Sequence, residues 1–599
     1  MNNVQKGEKM DTKNDNKKRI IVLAIFLLGI FMGAIDSGIV SPARTVIKNS
    51  FGVSESLSVW MVTIYTLAYA VAMPIVSKLS DRYGRKKVYL TSIVIFALGS
   101  LLCGLSNFYG NFTFFLIARV IQAIGGGGIM PIANAFIGNS FPPEKRGTAL
   151  GFVGGVYGIA TILGPTMGSS ILDIAGVDHW GWIFFINLPI SLLILALSYN
   201  LRENLGENNK KMDLKGSLVL SIMILSLMYA LTNLNYFSFT DSIKDLDVYP
   251  FLILFVICLP LFILIESKAD DPILNLRYFK ERQILLTLIL GFITGVGLMA
   301  VVFIPQFAEN ILKIKTGNGG YLVTLMSVFA GISAPLGGKF IDKYSAKLVT
   351  ALGMICTAFG TFFLAFFTTA YPSFVSIMIG LIFVGFGMGF TMGTPLNYLM
   401  LSFVGERESA SALSTLSLIR SIGVAVSPNI MINFIAEAGK SVQGKVMAVI
   451  PEPSTPTFPG SQYVSGYFDM SKVTSGGGIS SNSIEKLKSA DVTNVVDVLK
   501  DFSSNMLDKV IPTIKDKIVG AMSAAPKGAA SHINLDKVFS DWKVDYLNKI
   551  EGARTTIENT FQTAISAGYR NMFITAGVIA VIGLVAALLL KNKKKTVSE

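Results

Sequence analysis

Long apolar stretches alternate with short polar ones along this chain, and most apolar stretches run about twenty residues with few or no charges. A helix rises ~1.5 Å per residue, so such a stretch covers the ~30 Å hydrocarbon core of a bilayer. Fourteen can be drawn, at 19–41, 57–79, 88–107, 112–138, 146–172, 181–200, 215–236, 249–267, 284–308, 318–340, 347–369, 373–403, 409–436 and 569–590. The pattern predicts an all-α integral membrane protein, because a helix satisfies its own backbone polar groups in lipid. The first stretch follows a basic tail and no small-residue cleavage site comes after it, so it reads as a retained helix rather than a leader.

One segment breaks the pattern. Between the last two stretches lie about 130 mostly polar residues, beginning near Glu437. After a turn-rich part (Pro451, Pro453, Pro456, Pro459, then Gly476 to Gly478), apolar residues recur at Val496, Leu499, Phe502, Met506, Val510 and Ile514. A second series runs Leu535, Val538, Trp542, Tyr546, Ile550, Ile557, Phe561 and Ile565. Spacings of three and four predict two amphipathic helices. Pro512 should break or kink the first, and Gly552 interrupt the second. Two such stripes most simply bury against each other as a small helical cap. The alternatives are the outer leaflet or an envelope partner; fourteen Lys/Arg against fourteen Asp/Glu over 437–569 disfavour simple lipid binding.

Composition narrows the class. Of 599 residues, 52% are hydrophobic and only 15% charged, which excludes an ordinary soluble protein. The net charge of +13 does not point to nucleic acid, because its distribution follows the apolar stretches, with a basic cluster at each end and a neutral insert. Lys6, Lys9, Lys13, Lys17, Lys18 and Arg19 precede the first stretch, and Lys591, Lys593, Lys594 and Lys595 follow the last. Basic clusters at membrane ends stay on the cytoplasmic side, where they meet anionic lipid. An even number of spans puts both termini there, in a multi-pass protein of the cytoplasmic (inner) membrane, with the insert outside. Cys103, Cys258 and Cys356 fall in apolar stretches, and His179 and His532 have no ligand cluster around them, so no metal is expected. Ala438-Gly439-Lys440-Ser441 lacks the first glycine of a phosphate loop, Phe434 standing there. No enzyme constellation and no cofactor site emerges.

The chemistry lies in charges inside apolar stretches, where a charge is costly unless it has a partner or a task. Asp36 and Arg119 are two, and Arg420 a third. Asp36 is either an ionisable group that exchanges a proton for a cationic substrate or a structural carboxylate bonded to a neighbouring helix. Glu309, at the end of the ninth stretch, is a second acidic site or a plain interfacial carboxylate.

Four motifs carry a resemblance. The loop Ser77-Lys-Leu-Ser80-Asp81-Arg82-Tyr83-Gly84-Arg85-Lys86-Lys87 resembles the G-x-L-a-D-R-x-G-R-K sequence of the major facilitator superfamily, with Ser77 in place of Gly. Arg119-Val-Ile-Gln122-Ala-Ile-Gly125 resembles that family's R-x-x-Q-G-x-G, and Gly158 to Ser169, with Gly164-Pro165 and Gly168, resembles the G-x-x-x-x-x-G-P-x-x-G-G motif of its exporters. Asp36-Ser37-Gly38-Ile39-Val40 resembles the L-D-x-T-I-V stretch of the fourteen-helix drug:proton antiporters, although Gly38 replaces Thr and Ser41-Pro42-Ala43-Arg44 departs from it. Weaker echoes are Trp182 to Pro189 before the sixth helix, Asp271 to Arg277 before the ninth, and Gly337 to Lys343, a second copy of the first loop.

The resemblance covers about 19–436 and 569–595 and leaves the insert outside. It implies two six-helix bundles with two extra central helices. The corresponding division is a basic tail (1–18), a first bundle (19–200), extra helices and linkers (201–283), five helices of the second bundle (284–436), the insert (437–568), and the last helix with its tail (569–599). It also implies an antiporter of amphiphilic or cationic small molecules, driven by protons and needing no cofactor. Asp36, Arg119, Gln122, Arg420 and Glu309 would couple protons or substrate. Asp81, Arg82, Gly84, Arg85 and Lys86 would form the inner gate, and Gly158, Gly164, Pro165 and Gly168 would shape a kinked helix where the two halves meet. Rival readings are an exporter or flippase of a lipid, envelope precursor or endogenous metabolite, and a non-transporting receptor or scaffold acting through the insert.

Overall fold

The computed structural model describes residues 12–53, 57, 60–198, 213–236, 238–298, 303–312, 320–392, 394–405, 408–452, 495–523 and 534–591. The ends of both basic tails, the linker 199–212, His532 and the Pro/Gly-rich part of the insert lie outside them. Among the described residues there is no strand. Twelve helices are long and apolar enough to cross a membrane, and two shorter apolar ones, Trp182–Ser198 and Arg282–Gly297, account for the rest of the fourteen stretches. Within the first of these Pro189 has no N–H to return to the preceding turn, and the stretch divides into Trp182–Phe185 and Asn187–Ser198.

The first half comprises α1 (Thr12–Phe51), α2 (Trp60–Tyr83), α3 (Arg85–Tyr109), α4 (Phe112–Ser140), α5 (Pro143–Ala175) and α6 (Asn187–Ser198). Two further helices follow, α7 (Leu214–Asn233) and α8 (Tyr249–Glu266). The second half comprises α9 (Arg282–Leu298), α10 (Ile304–Leu312), α11 (Gly320–Lys343), α12 (Ala346–Phe362), α13 (Phe374–Thr391), α14 (Thr394–Phe403) and α15 (Ser409–Met447). The insert contributes α16 (Val495–Ser523) and α17 (Leu535–Gly552), and α18 (Arg554–Leu588) ends the chain's helices. Leu220, Ile224 and Met228 of α7 pack with Leu67 and Met73 of α2 and Leu418 of α15, so the extra pair lies in the seam between the halves. Behind it α8 turns Val256, Ile257 and Leu264 outward, as a lipid-facing helix does.

The insert is continuous with the bundle. The boundary expected at 436/437 falls inside α15, and the one at 568/569 inside α18, which starts at Arg554. Residues of α16 and α17 share one core with Phe307 of α10, Leu364, Tyr569 and Phe573. The buried seam of α16 keeps Val496, Leu499 and Ile514 of the sequence stripe and lies one residue further along between them, at Ser503, Leu507 and Ile511. Pro512 does not break α16, which is helical on both sides of it. Buried Ile511 and Ile514 hold the flanking turns, which offsets the lost backbone hydrogen bond. The chain does turn at Ala553, after Gly552.

Ion pairs fix the hairpin's register. Asp497–Arg554 (2.8 Å), Lys500–Glu551 (3.1 Å), Asp508–Lys543 (2.6 Å) and Lys515–Asp536 each have residue numbers adding to the same total, as antiparallel chains require. The Arg554 guanidinium, helped by Lys500, holds the exposed Glu551 carboxyl down at about 2.

Trp542 is 6% exposed and packs edge-on to Phe539 in this core. Trp542→Ala should destabilise the hairpin by about 3–5 kcal/mol. Hydrogen exchange over 495–552 should then speed up while α1–α6 stay protected; unchanged exchange there would show that the hairpin does not depend on this core.

Candidate functional site

Asp36 of α1 has no exposed surface. Its Oδ1 accepts hydrogen bonds from Gln122 Nε2 (2.7 Å) and Asn187 Nδ2 (2.9 Å), and its Oδ2 from Arg119 Nη1 (3.3 Å). Arg119 and Gln122 are three apart and so share a face of α4; Arg119 Nη1 donates to Gln122 Oε1 at 2.6 Å. The guanidinium also reaches the Met61 carbonyl and sits 4.1 Å from the Tyr65 ring centre. Ser100 Oγ accepts from Gln122 and Asn187. A buried charge pair persists only when hydrogen bonds fill its remaining positions; groups from α2, α4 and α6 fill both oxygens of Asp36 and the Nε and Nη1 of Arg119, while Asn187 Oδ1 has no partner among the described residues.

Small residues bring those helices close enough. A Cβ on Gly125 would stand 2.3 Å from the Phe96 nitrogen of α3, and one on Gly127 2.8 Å from Ala72 Cβ of α2. The motif around Gly164 works differently from the expectation. Gly164 and Pro165 do not lie between the halves: a Cβ on Gly164 would stand 3.0 Å from the Ile35 carbonyl and 3.1 Å from Gly38 Cα of α1, within the first half. Gly158 is the part that faces the second half, with Gly331 of α11 against it, and Gly168 is buried further along. α5 is helical through Pro165, so one helix serves both contacts.

The loop after α2 closes one end of the bundle. Asp81 Oδ2 accepts from the Ser411 nitrogen (2.9 Å) and Ser411 Oγ (2.8 Å), and Oδ1 from the Ala410 nitrogen (3.4 Å). The start of α15 has no side-chain cap of its own, so Asp81 caps it from the other half, where a carboxylate meets the positive end of the helix dipole. Arg85 Nη2 lies 3.5 Å from Asp81 and donates to Ser409 Oγ at 2.6 Å. Gly84 has φ +100°, a conformation that favours glycine. Arg82 lies over the Tyr83 ring, and Lys86 is half-buried beside Arg85 in sequence.

The second copy of this loop does the same in reverse. Asp342 of α11 accepts from the Gly147 nitrogen (2.8 Å), the Thr148 nitrogen (2.8 Å) and Thr148 Oγ1 (2.6 Å) near the start of α5. Both crossed caps lie at the end where α15 begins, opposite the insert into which α15 runs.

Residues 26–428 match the model of the Major Facilitator Superfamily. The chain belongs to the major facilitator superfamily. Among its relatives, the uncharacterized MFS-type transporter YfiU of Bacillus subtilis is 40% identical over 428 residues, covering 70% of this chain and 80% of that protein. Multidrug resistance protein 3 of the same organism is 32% identical over 443 residues, covering 72% and 84%. The fold is similar to that of the proton:xylose symporter XylE, at TM-score 0.51 and 15% identity over 72% of this chain and 90% of that one.

Like other members of the superfamily, the transporter is built as two halves, and a cavity of about 230 Å³ lies between them. Tyr65 and Tyr69 of α2, Tyr157 of α5, Met392, and Ser417 and Arg420 of α15 contribute to its wall. A vestibule adjoins it through Ser37, Tyr65 and Thr66 and runs past Arg119 to Arg44. Arg44 lies towards the Phe51 end of α1, so the vestibule leads away from the crossed caps.

The structure therefore brings Asp36, Arg119 and Gln122 together and leaves Arg420 apart from them on the cavity wall. Glu309 lies on α10, and its side chain is outside the described residues. Asn187, Ser100, Tyr65 and Ser411 belong to the site without having been singled out as site residues. Asn187 had a usable signal, as a buried amide in an apolar stretch; Ser100 and Ser411 had none.

Asp81→Asn and Asp342→Asn each keep the shape of a cap and lose its charge. Each should favour the state opened at the capped end by at most ~1–3 kcal/mol, and the pair together by more, since the caps share no partner. Spin-label distances across that end are the measurement, and wild-type distributions in the double variant would rule this out.

Proposed function

We propose that this transporter is a proton-coupled exporter of amphiphilic small molecules across the cytoplasmic membrane, working by alternating access. One observation carries the reading: an ionisable carboxylate, Asp36, is buried with Arg119 beside a cavity whose lining is aromatic, thioether and hydroxylic. The ionised Asp36 neutralises Arg119. A proton on Asp36 would weaken that pairing and leave Arg119 seeking another partner, which gives the helices carrying them two arrangements of similar free energy. The crossed caps at Asp81 and Asp342 would hold one arrangement shut on the cytoplasmic side, where the basic loops belong, with the insert outside over the exit.

The names of relatives support efflux: multidrug resistance protein 3 and multidrug transporter protein MdtP of Bacillus subtilis, and multidrug export protein EmrB of Haemophilus influenzae. A riboflavin transporter of Clostridioides difficile, 28% identical, keeps export of an endogenous metabolite as the second reading. The wall of the cavity supports the amphiphilic part of the substrate description more than the cationic part, because Asp36 is not on it.

Asp36→Asn is nearly isosteric and cannot ionise. In proteoliposomes with an imposed pH gradient, gradient-driven movement of a fluorescent amphiphile such as ethidium should fall at least about tenfold, with insertion and gradient-free binding retained. Wild-type-like pumping by this variant would falsify the assignment of Asp36 to coupling.

A further inference from the structure

The two intramembrane arginines of the cavity region are treated differently by the fold. Arg119 has a carboxylate at 3.3 Å, an amide oxygen at 2.6 Å and a tyrosine ring against it. Among the described residues Arg420 has no carboxylate partner, and its buried Nε and Nη2 have no hydrogen-bond partner. It is also the one charged side chain on the described wall of the central cavity. The vestibule leading in is walled by Arg44 and by Arg119 with its Asp36 partner behind it. A molecule moving from the mouth to the centre therefore passes three guanidinium groups.

An uncompensated guanidinium inside an apolar bundle is costly, and its planar fork matches an oxyacid better than any other common group. The rest of the wall says what the acid is attached to. Tyr65 and Tyr69 lie nearly parallel, 17° apart with ring centres 6.0 Å apart, and offer a flat aromatic face. Met73, Met130 and Met392 supply soft apolar contacts nearby. The volume of about 230 Å³ is below the ~300–1,000 Å³ of drug-sized sites, which favours a ligand of one or two rings in this state.

We propose that Arg420 is the anchor of a substrate site for aromatic carboxylates, acidic or zwitterionic, with the ring against Tyr65 and Tyr69 and the carboxylate on the guanidinium. This rests on the transporter reading of the cavity and narrows its substrate class. The acid supplies the counter-charge that Arg420 lacks, so release of the substrate restores an unpaired buried cation.

The test uses three probes of one shape: 2-naphthoate, its neutral methyl ester, and 2-naphthylmethylammonium. Equilibrium dialysis against the full-length protein in phosphatidylcholine nanodiscs measures binding. Wild type should bind the carboxylate about tenfold more tightly than either other probe, the worth of one charge-assisted contact. Arg420→Gln should lose the preference and keep the ester's affinity, and Arg420→Lys should keep part of it. Removing Arg420 orphans no hydrogen-bonding partner, so the Gln variant should elute and melt as wild type does; the probe preference of the wild type stands as a test without it. Equal binding of the three probes by wild type, or a preference that survives in Arg420→Gln, overturns the proposal. So does displacement of naphthoate by phosphatidylglycerol added to the nanodiscs, if Arg420→Gln abolishes that displacement, because the site would then belong to a lipid phosphate. pH-gradient-driven movement of the three probes in proteoliposomes from the same preparations separates the two levels. Movement of the probes without a carboxylate preference overturns this inference alone, and the binding preference with no probe moved overturns the exporter reading alone.

Discussion

The first half is organised around one buried charge pair. Asp36 and Arg119 are both out of water, and an ion pair in that position gives up several kcal/mol of hydration per ion unless every remaining hydrogen-bonding position is filled. Filling them here draws groups from five helices: α1 and α4 supply the charges, α6 and α3 supply Asn187 and Ser100, and α2 supplies the Met61 carbonyl and Tyr65. The glycines of α4 follow from that demand, since polar side chains as short as Ser100 reach their partners only where backbones nearly touch. The second half has no such centre among the described residues. Its own small cavity is lined by Thr294, Thr357, Thr361 and Thr391, and each hydroxyl is already bonded to a carbonyl of its own helix. The buried charge pair belongs to the first half alone, while the second half contributes Arg420 to the cavity wall.

What joins the halves is correspondingly simple. Two carboxylates, each at the end of a helix in one half, cap a helix that starts in the other. The start of α15 brings no side-chain cap of its own and relies on Asp81, while Asp342 bonds the Gly147 and Thr148 nitrogens in the second turn of α5. The same pair of contacts defines the closed end.

Much of this was legible in the chain. Apolar runs of about twenty residues are physically explicit, because bilayer thickness dictates their length; Asp36 and Arg119 stand out because charge is rare beside them, and Asp81 because it is the one acid in a basic loop. What escaped reading was geometry that depends on a partner far away in sequence. Nothing around Ser411 marks it as the receiver of Asp81, 330 positions away, and nothing in Gly164-Pro165 says that it meets Gly38 of its own half rather than the other half. The insert showed a third limit. Its periodicity was visible, but packing on a twisted neighbour moved the buried seam of α16 by a residue, and burial on both sides carried the helix through Pro512.

The length of α18 sets how the insert behaves. Its 35 residues span about 52 Å, well beyond a hydrocarbon core of ~30 Å, and α15 is longer still at 39 residues. α18 follows α17 across the single turn at Ala553, so the hairpin is rooted in the second half by a rigid rod. When that half tilts, the hairpin swings with it as the tip of a lever, and a tilt of a few degrees inside the bilayer becomes a displacement of several ångströms above it.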